Sequence, residues 1–94
     1  MRLVIAATAR RDLTEAIAFI AADNPRAAER QSAPIQAATL RLIDFPGMGR
    51  VDRDGNRIAQ VPGTPFRLVY EAPPDHILIL RVWHGAREWP FDPR

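Results

Sequence analysis

The pattern of apolar and polar positions along the chain predicts two helices with β-strands before and after them. Residues 2–6 are mostly apolar and partly β-branched, which is typical of a short buried strand. A first helix is predicted from about Ala9 to Asp23, with Thr8 as its N-cap, because one apolar stripe recurs there at helical spacing. The stripe consists of Leu13, Ala16, Ile17 and Ile20.

A second helix is predicted directly after the first, from Pro25 to about Asp44. Asn24 suits an N-cap, and Pro25 suits the first helical position. Pro34 lies inside this helix and lacks a backbone donor, so it is expected to bend or loosen the helix. Two apolar helices joined by almost no loop should pack as an antiparallel hairpin.

Three strand candidates follow the helices. Residues 57–61 form a short one that stops at Pro62, whereas residues 66–71 and 76–84 are strongly β-forming. Residues 85–94 contain two prolines and are expected to form a loop or a loose extension. The predicted fold is α+β: an N-terminal strand, an antiparallel two-helix hairpin and an antiparallel three-stranded meander, in two layers. The whole chain, 1–94, is expected to form one domain with its core in residues 3–89.

The composition narrows the classes of function. The chain has 94 residues, 47% of them hydrophobic, which is enough for one core without covalent cross-links. It contains no Cys, so disulfides, thiolate metal sites and cysteine nucleophiles are excluded, and a cytoplasmic location is expected. Gly-rich phosphate loops, paired histidines at metal spacing and a serine in a tight turn are missing as well. Neither a cofactor nor a metal is expected.

The placement of the positive charges is more informative than their sum. All 13 basic residues are Arg, yet the net charge is only +2. Arg67 and Arg81 each interrupt an apolar strand, where a guanidinium is costly unless it is paired or faces a solvated surface. His84 ends the last strand, so a basic, partly solvated cleft is predicted on the sheet face opposite the helices. Further candidates for phosphate or target binding are Arg50, Arg53, Arg57, Arg87 and Trp89.

Strand register decides which of these side chains meet. If residue 71 pairs with residue 76, then Arg67 shares a sheet face with His84, and Arg81 points the other way. A one-residue slip reverses this arrangement.

Each of these residues also has a purely structural interpretation. Arg67 lies two positions from Glu71 and could pair with it. Arg81 could extend to the sheet edge or meet Glu15, and His84 could complete a backbone hydrogen bond at the strand end. The sequence pattern leaves the structural and the functional interpretations open.

Five segments resemble the RelE/ParE superfamily of toxins, in the order and spacing found there. They are Thr-Ala-Arg-Arg-Asp-Leu at 8–13, Asn-Pro-Arg-Ala-Ala at 24–28, Phe-Pro-Gly-Met-Gly-Arg at 45–50, Phe-Arg-Leu-Val-Tyr at 66–70 and Ile-Leu-Ile-Leu-Arg-Val-Trp-His-Gly-Ala-Arg at 77–87. The resemblance spans about residues 3–89. It implies the toxin of a type II toxin–antitoxin system, a class that includes plasmid-stabilisation proteins. Such a toxin is silenced by a cognate antitoxin, expected here to be small and acidic in its toxin-binding segment.

The resemblance implies two alternative mechanisms. RelE-like members cut mRNA on the ribosome. In that reaction Arg67 matches the arginine that stabilises the transition state, His84 matches a general acid or base, and Arg81 and Arg50 would hold phosphate. ParE-like members instead bind and poison DNA gyrase without a catalytic site.

The chain departs from the RNase pattern, because it has no Lys and no Tyr after His84. Its Pro-Gly-Met-Gly-Arg turn and His-Gly-Ala-Arg ending look closer to ParE. Gyrase inhibition is therefore the favoured expectation. The alternatives are a metal-independent endoribonuclease and a catalytically silent antitoxin-binding module.

Overall fold

A computed structural model describes residues 2–84, apart from the side chain of Gln31. Two helices and five strands form in this part of the chain. In chain order they are β1 (Arg2–Ile5), α1 (Ala7–Asp23), α2 (Pro25–Asp44), β2 (Arg50–Val51), β3 (Arg57–Gln60), β4 (Phe66–Glu71) and β5 (His76–His84). The α+β fold and the helical hairpin are confirmed. Residues 85–94, where a loose extension was predicted, lie outside the described residues.

The five strands form one mixed sheet in the order β1-β5-β4-β3-β2. The predicted meander is present as β3, β4 and β5, and adjacent strands within it pair antiparallel. The short strand β2 adds a fifth member that the sequence pattern did not predict, and β1 pairs parallel with β5. The prediction that residues 2–6 are buried is wrong, because β1 lies at the sheet edge with Arg2 and Val4 exposed.

Both helices begin close to their predicted positions. The first helix starts at Ala7, its N-cap is Ala6, and no side chain caps it, so the prediction for Thr8 is wrong. Asn24 caps α2 as predicted, since its side chain accepts a hydrogen bond from the Ala27 N–H at 3.1 Å. Pro34 lies within α2 without dividing it. Neither helix in residues 2–84 combines the length and apolar character needed to cross a membrane.

The core lies between the helical hairpin and one face of the sheet. Small helix residues let the hairpin approach the sheet closely, and large side chains of β4 and β5 fill the space between them. Its fully buried sheet members are Phe66, Leu68, Tyr70, Ile77 and Ile79. The helices contribute Ala9, Ala16, Ile35, Ala38 and Leu42. The opposite face of the sheet, here called the outer face, carries no helix from residues 2–84.

The first helix replaces β1 as the neighbour of β5 at the point where β1 ends. Strand pairing stops at Ile5, opposite Ile79, and the next part of β5 would present unpaired backbone groups at this edge. Thr8 donates its hydroxyl to the Leu80 carbonyl at 2.8 Å. The Asp12 carboxylate accepts a hydrogen bond from the Val82 N–H at 3.0 Å. Side chains of α1 therefore continue the hydrogen bonding of the sheet.

Asp12 also binds the side chain of Arg81, through Nε at 2.7 Å and Nη2 at 3.0 Å. The carboxylate is 3% exposed, so it needs this pairing to offset its desolvation. The hydrogen bond to Asp12 raises the pKa of the Arg81 guanidinium above its ordinary value. The sequence-based alternative that Arg81 meets Glu15 is wrong, because the partner lies one helical turn earlier. We call these contacts the Asp12 clasp.

The clasp should contribute measurably to stability. We expect Asp12→Ala to lower the free energy of unfolding by about 3 kcal/mol, because it leaves the Arg81 guanidinium and the Val82 N–H without their acceptor. Urea denaturation monitored by circular dichroism measures the loss. The matched control is Glu15→Ala, an exposed carboxylate of the same helix, which should change stability by less than about 0.5 kcal/mol. Equal effects of the two variants would contradict the role given to the clasp.

Candidate functional site

Arg67 and His84 lie on opposite faces of the sheet. Arg67 pairs with Trp83, and His84 pairs with Phe66, and directly opposed residues of antiparallel strands share a face. Phe66 is fully buried in the core, and its ring meets the His84 ring edge-on, with centroids 5.2 Å apart. His84 therefore faces the helical side, and Arg67 faces outward. The prediction that they share a face is wrong.

A β-bulge explains this correction. Val69 pairs with Arg81 whereas Tyr70 pairs with Ile79, so Leu80 is the extra residue. Relative to the predicted register, a shift by two residues alone would leave every side chain on its predicted face. A bulge adds one residue to one strand only, so the side chains of that strand beyond the bulge lie on the opposite face from the one predicted. As a result, Arg81 joins Arg67 and does not point away from it.

A cleft of about 590 Å³ opens on the outer face, between the turn that joins β2 to β3 and the end of β5. Three of the predicted site residues, Arg50, Arg53 and Arg81, line it together. Two carboxylates, Asp52 and Asp54, also line it, so its charge is mixed. The remaining lining residues are Val51, Asn56, Ile58, Val69, Leu80 and Trp83. Within residues 2–84 the buried indole Nε1 of Trp83 has no hydrogen-bond partner.

The turn that carries Arg53 is ordered by the side chain of Asp52. Its carboxylate accepts hydrogen bonds from the N–H groups of Asp54 at 2.8 Å and Asn56 at 3.0 Å. Gly55 adopts a φ of 87°, which most other residues would resist. Because the Asp52 side chain orders this turn, the backbone that carries Arg53 has a defined position at the cleft.

Among the described residues, the predicted site residues Arg57, Arg67 and His84 do not line this cleft. The Arg57 side chain donates instead to the carbonyl oxygens of Gly49 at 2.7 Å and Gly47 at 3.5 Å. Among residues 2–84, Arg67 forms no ion pair with Glu71. Arg87 and Trp89, also predicted to bind phosphate or a target, lie outside the described residues.

A second feature is the turn between α2 and β2, here called the Pro46–Gly49 turn. The Tyr70 hydroxyl accepts a hydrogen bond from the Gly49 N–H at 2.9 Å and donates one to the Pro46 carbonyl at 2.8 Å. Arg57 holds the same turn from its other side. Gly49 lies so close to the sheet that a Cβ atom would come within 2.8 Å of the Ile58 carbonyl oxygen. The turn is therefore fixed to the sheet.

Sequence reasoning missed Asp12 and Tyr70. Asp12 lies four positions before Ala16, on the buried side of α1, and this spacing was the available signal. Tyr70 belongs to an apolar strand, and nothing in its local pattern identifies the turn as its partner. Within residues 2–84, no three His, Asp or Glu side chains form a group that could hold a metal ion.

The fold and the arginine-bearing outer face define a class: small α+β proteins with a two-helix hairpin against a mixed sheet. The structure superimposes on a solved structure described as the chromosomal ParDE toxin–antitoxin system of P. aeruginosa, with a TM-score of 0.77. The match covers 87% of this chain and 92% of the other, at 23% sequence identity. This likeness shows a shared fold.

Sequence comparison identifies the family. Residues 3–89 match the family model described as the ParE toxin of the type II toxin–antitoxin system parDE. The chain is also 35% identical over 83 residues to the putative toxin Y4kP of Sinorhizobium fredii, which covers 87% of this chain and 85% of that protein. Toxin RelE1 of Caulobacter vibrioides is 25% identical over 88 residues, with 92% and 95% covered. The protein belongs to the ParE toxin family, within the RelE/ParE superfamily, as its sequence segments indicated.

The close approach of Gly49 to Tyr70 generates a paired prediction. Gly49→Ala should lower the free energy of unfolding by about 2 kcal/mol, because the new methyl group would push the turn away from Tyr70. Gly47→Ala is the matched control, since a Cβ there meets nothing within 4 Å, and its effect should stay below about 0.5 kcal/mol. Chemical denaturation compares the two. A Gly47 variant as unstable as the Gly49 variant would show that the close contact is unimportant.

Proposed function

We propose that this type II toxin arrests growth by binding DNA gyrase, in the manner of ParE, and that the arginines of the outer-face cleft belong to the contact surface. The observation that carries the proposal is the separation of Arg67 from His84 by the sheet. A binding inhibitor needs a complementary surface but no assembled acid and base.

The separation weakens the alternative of mRNA cleavage. That reaction requires a base, an acid and a cation around one phosphate. His84 faces the core side beside Phe66, and Tyr70 is fully buried and already bonded to the Pro46–Gly49 turn. The guanidinium of Arg81 is held by Asp12. Within residues 2–84, no acid–base pair therefore stands beside Arg67.

The cleft has features that suit a protein contact. Its arginines are presented by the ordered turn at Asp52 and by β2, and guanidinium groups are enriched at protein interfaces. Trp83 adds an apolar ring to the lining of the same cleft. A target surface with carboxylates and apolar side chains would complement this set.

A supercoiling assay with purified gyrase tests the proposal. The wild-type toxin should inhibit supercoiling, and the double variant Arg50→Glu/Arg53→Glu should inhibit about tenfold less, because reversed charges repel an acidic contact surface. Arg30→Glu is the matched control, an exposed arginine of α2 outside the cleft, and should inhibit like the wild type. Both variants change only exposed side chains.

A translation extract run in parallel separates the alternatives. Intact mRNA is expected with the wild-type toxin, and the single variants Arg67→Ala and His84→Ala should keep their gyrase inhibition. Normal supercoiling at saturating toxin together with codon-phased mRNA cleavage, lost in those two variants, would establish the RNase instead. Inactivity in both assays, with harmless expression in the absence of antitoxin, would support the silent antitoxin-binding module.

A further inference from the structure

Two large apolar side chains stand exposed where α2 meets the Pro46–Gly49 turn. Phe45 is 58% exposed and Met48 is 45% exposed. Together with Arg41 and Gly47 they line a shallow groove of about 450 Å³ that is open to solvent. Adjacent exposed apolar side chains in a groove are typical of a surface that a partner covers.

The groove is held in shape by the sheet. Tyr70 fixes both ends of the turn, through the Pro46 carbonyl and the Gly49 N–H. The Met48 N–H donates to the Phe45 carbonyl at 3.1 Å, which continues the order of α2 into the turn. A partner would therefore lose little free energy in ordering this surface, which is the condition for a tight contact.

Two cations flank the apolar pair. Arg41 lines the groove itself, and Arg57 lies against the turn through its bonds to Gly49 and Gly47. Neither forms an ion pair with another residue of the described part, 2–84. Asp44 is exposed on the neighbouring position of α2 but does not line the groove. The surface thus presents an apolar centre with positive charge at its border.

The combination of an apolar centre with positive charge at its border favours one kind of binding partner over others. A second copy docked groove to groove would bring the Arg41 and Arg57 side chains of both molecules together, and such like-charge contacts are unfavourable. A nucleic acid would use the cations but not the apolar centre. A protein segment that inserts a large apolar side chain between carboxylates satisfies both parts.

We propose that the groove binds such an acidic, apolar-tipped segment of the antitoxin. This rests on the family's toxin–antitoxin pairing but not on the identity of the target. The turn runs directly into β2, whose Arg50 lines the outer-face cleft. An antitoxin segment seated in the groove therefore reaches the border of the surface that we assign to the target, and occupation of one obstructs the other.

The test measures affinity for the full-length antitoxin encoded beside the toxin gene, by calorimetry. Phe45→Ser/Met48→Ser should bind about 100-fold more weakly, and Arg41→Glu about tenfold more weakly with a marked dependence on salt. Phe19→Ser is the matched control, because Phe19 is 47% exposed on α1 and does not line the groove, and its affinity should stay within about threefold of the wild type. Thermal denaturation of each free variant checks folding, and Arg41→Glu keeps the test valid if the apolar variant is unstable.

Gyrase inhibition by the same variants, with and without antitoxin, identifies the occupant. The proposal is supported if the groove variants bind antitoxin more weakly, still inhibit gyrase, and are no longer relieved by excess antitoxin. Unchanged affinity, or an equal loss in Phe19→Ser, overturns it. Loss of inhibition with intact antitoxin binding also overturns it, because the groove then belongs to the target. If the groove variants lose antitoxin affinity but the wild-type toxin does not inhibit gyrase, only the gyrase proposal is refuted.

Discussion

A buried carboxylate of α1, that of Asp12, is the main polar link between the helical hairpin and the sheet. Asp12 is almost inaccessible to solvent, and its two oxygen atoms accept three hydrogen bonds from Arg81 and Val82 of β5. An unpaired carboxylate in this position would be strongly destabilising, so the docking position of α1 that pairs Asp12 with β5 is favoured. The parallel strand β1 covers just the first part of β5, and the clasp supplies the hydrogen bonding that a longer strand would otherwise provide.

The bulge in β5 has consequences for chemistry as well as for packing. The extra residue Leu80 lets Arg81 reach Asp12 at the sheet edge and at the same time reverses the faces of the residues beyond it. Arg67 is consequently separated from His84. The arrangement that docks the helix is thus the same one that keeps an acid–base pair from forming on the outer face, within the described residues. The proposal of a binding mechanism rests on this separation.

Much of the fold could be predicted from local patterns, whereas the site could not. Helical spacing identified α1 and α2, and the Asn24-Pro25 pair located the break between them, because these signals depend only on near neighbours. The strand β2 has two residues and too little pattern to be recognised. The bulge at Leu80 inserts one residue into the pairing of β4 with β5, and the residues after it bond to Asp12 of a distant helix, so no strand-level periodicity could predict it.

Arg57 and Tyr70 act on the Pro46–Gly49 turn and do not line the cleft. The Tyr70 hydroxyl and the Arg57 guanidinium both form hydrogen bonds with backbone groups of the turn after α2. These bonds restrict the backbone freedom that Gly47 and Gly49 would otherwise confer. A turn fixed in this way can expose Phe45 beside cations without collapsing onto the core. Its rigidity reduces the entropy lost on association, which makes the contact tighter without enlarging it. In the proposal that the antitoxin occupies the groove, this rigidity is what allows a small surface beside the proposed target contact to bind tightly.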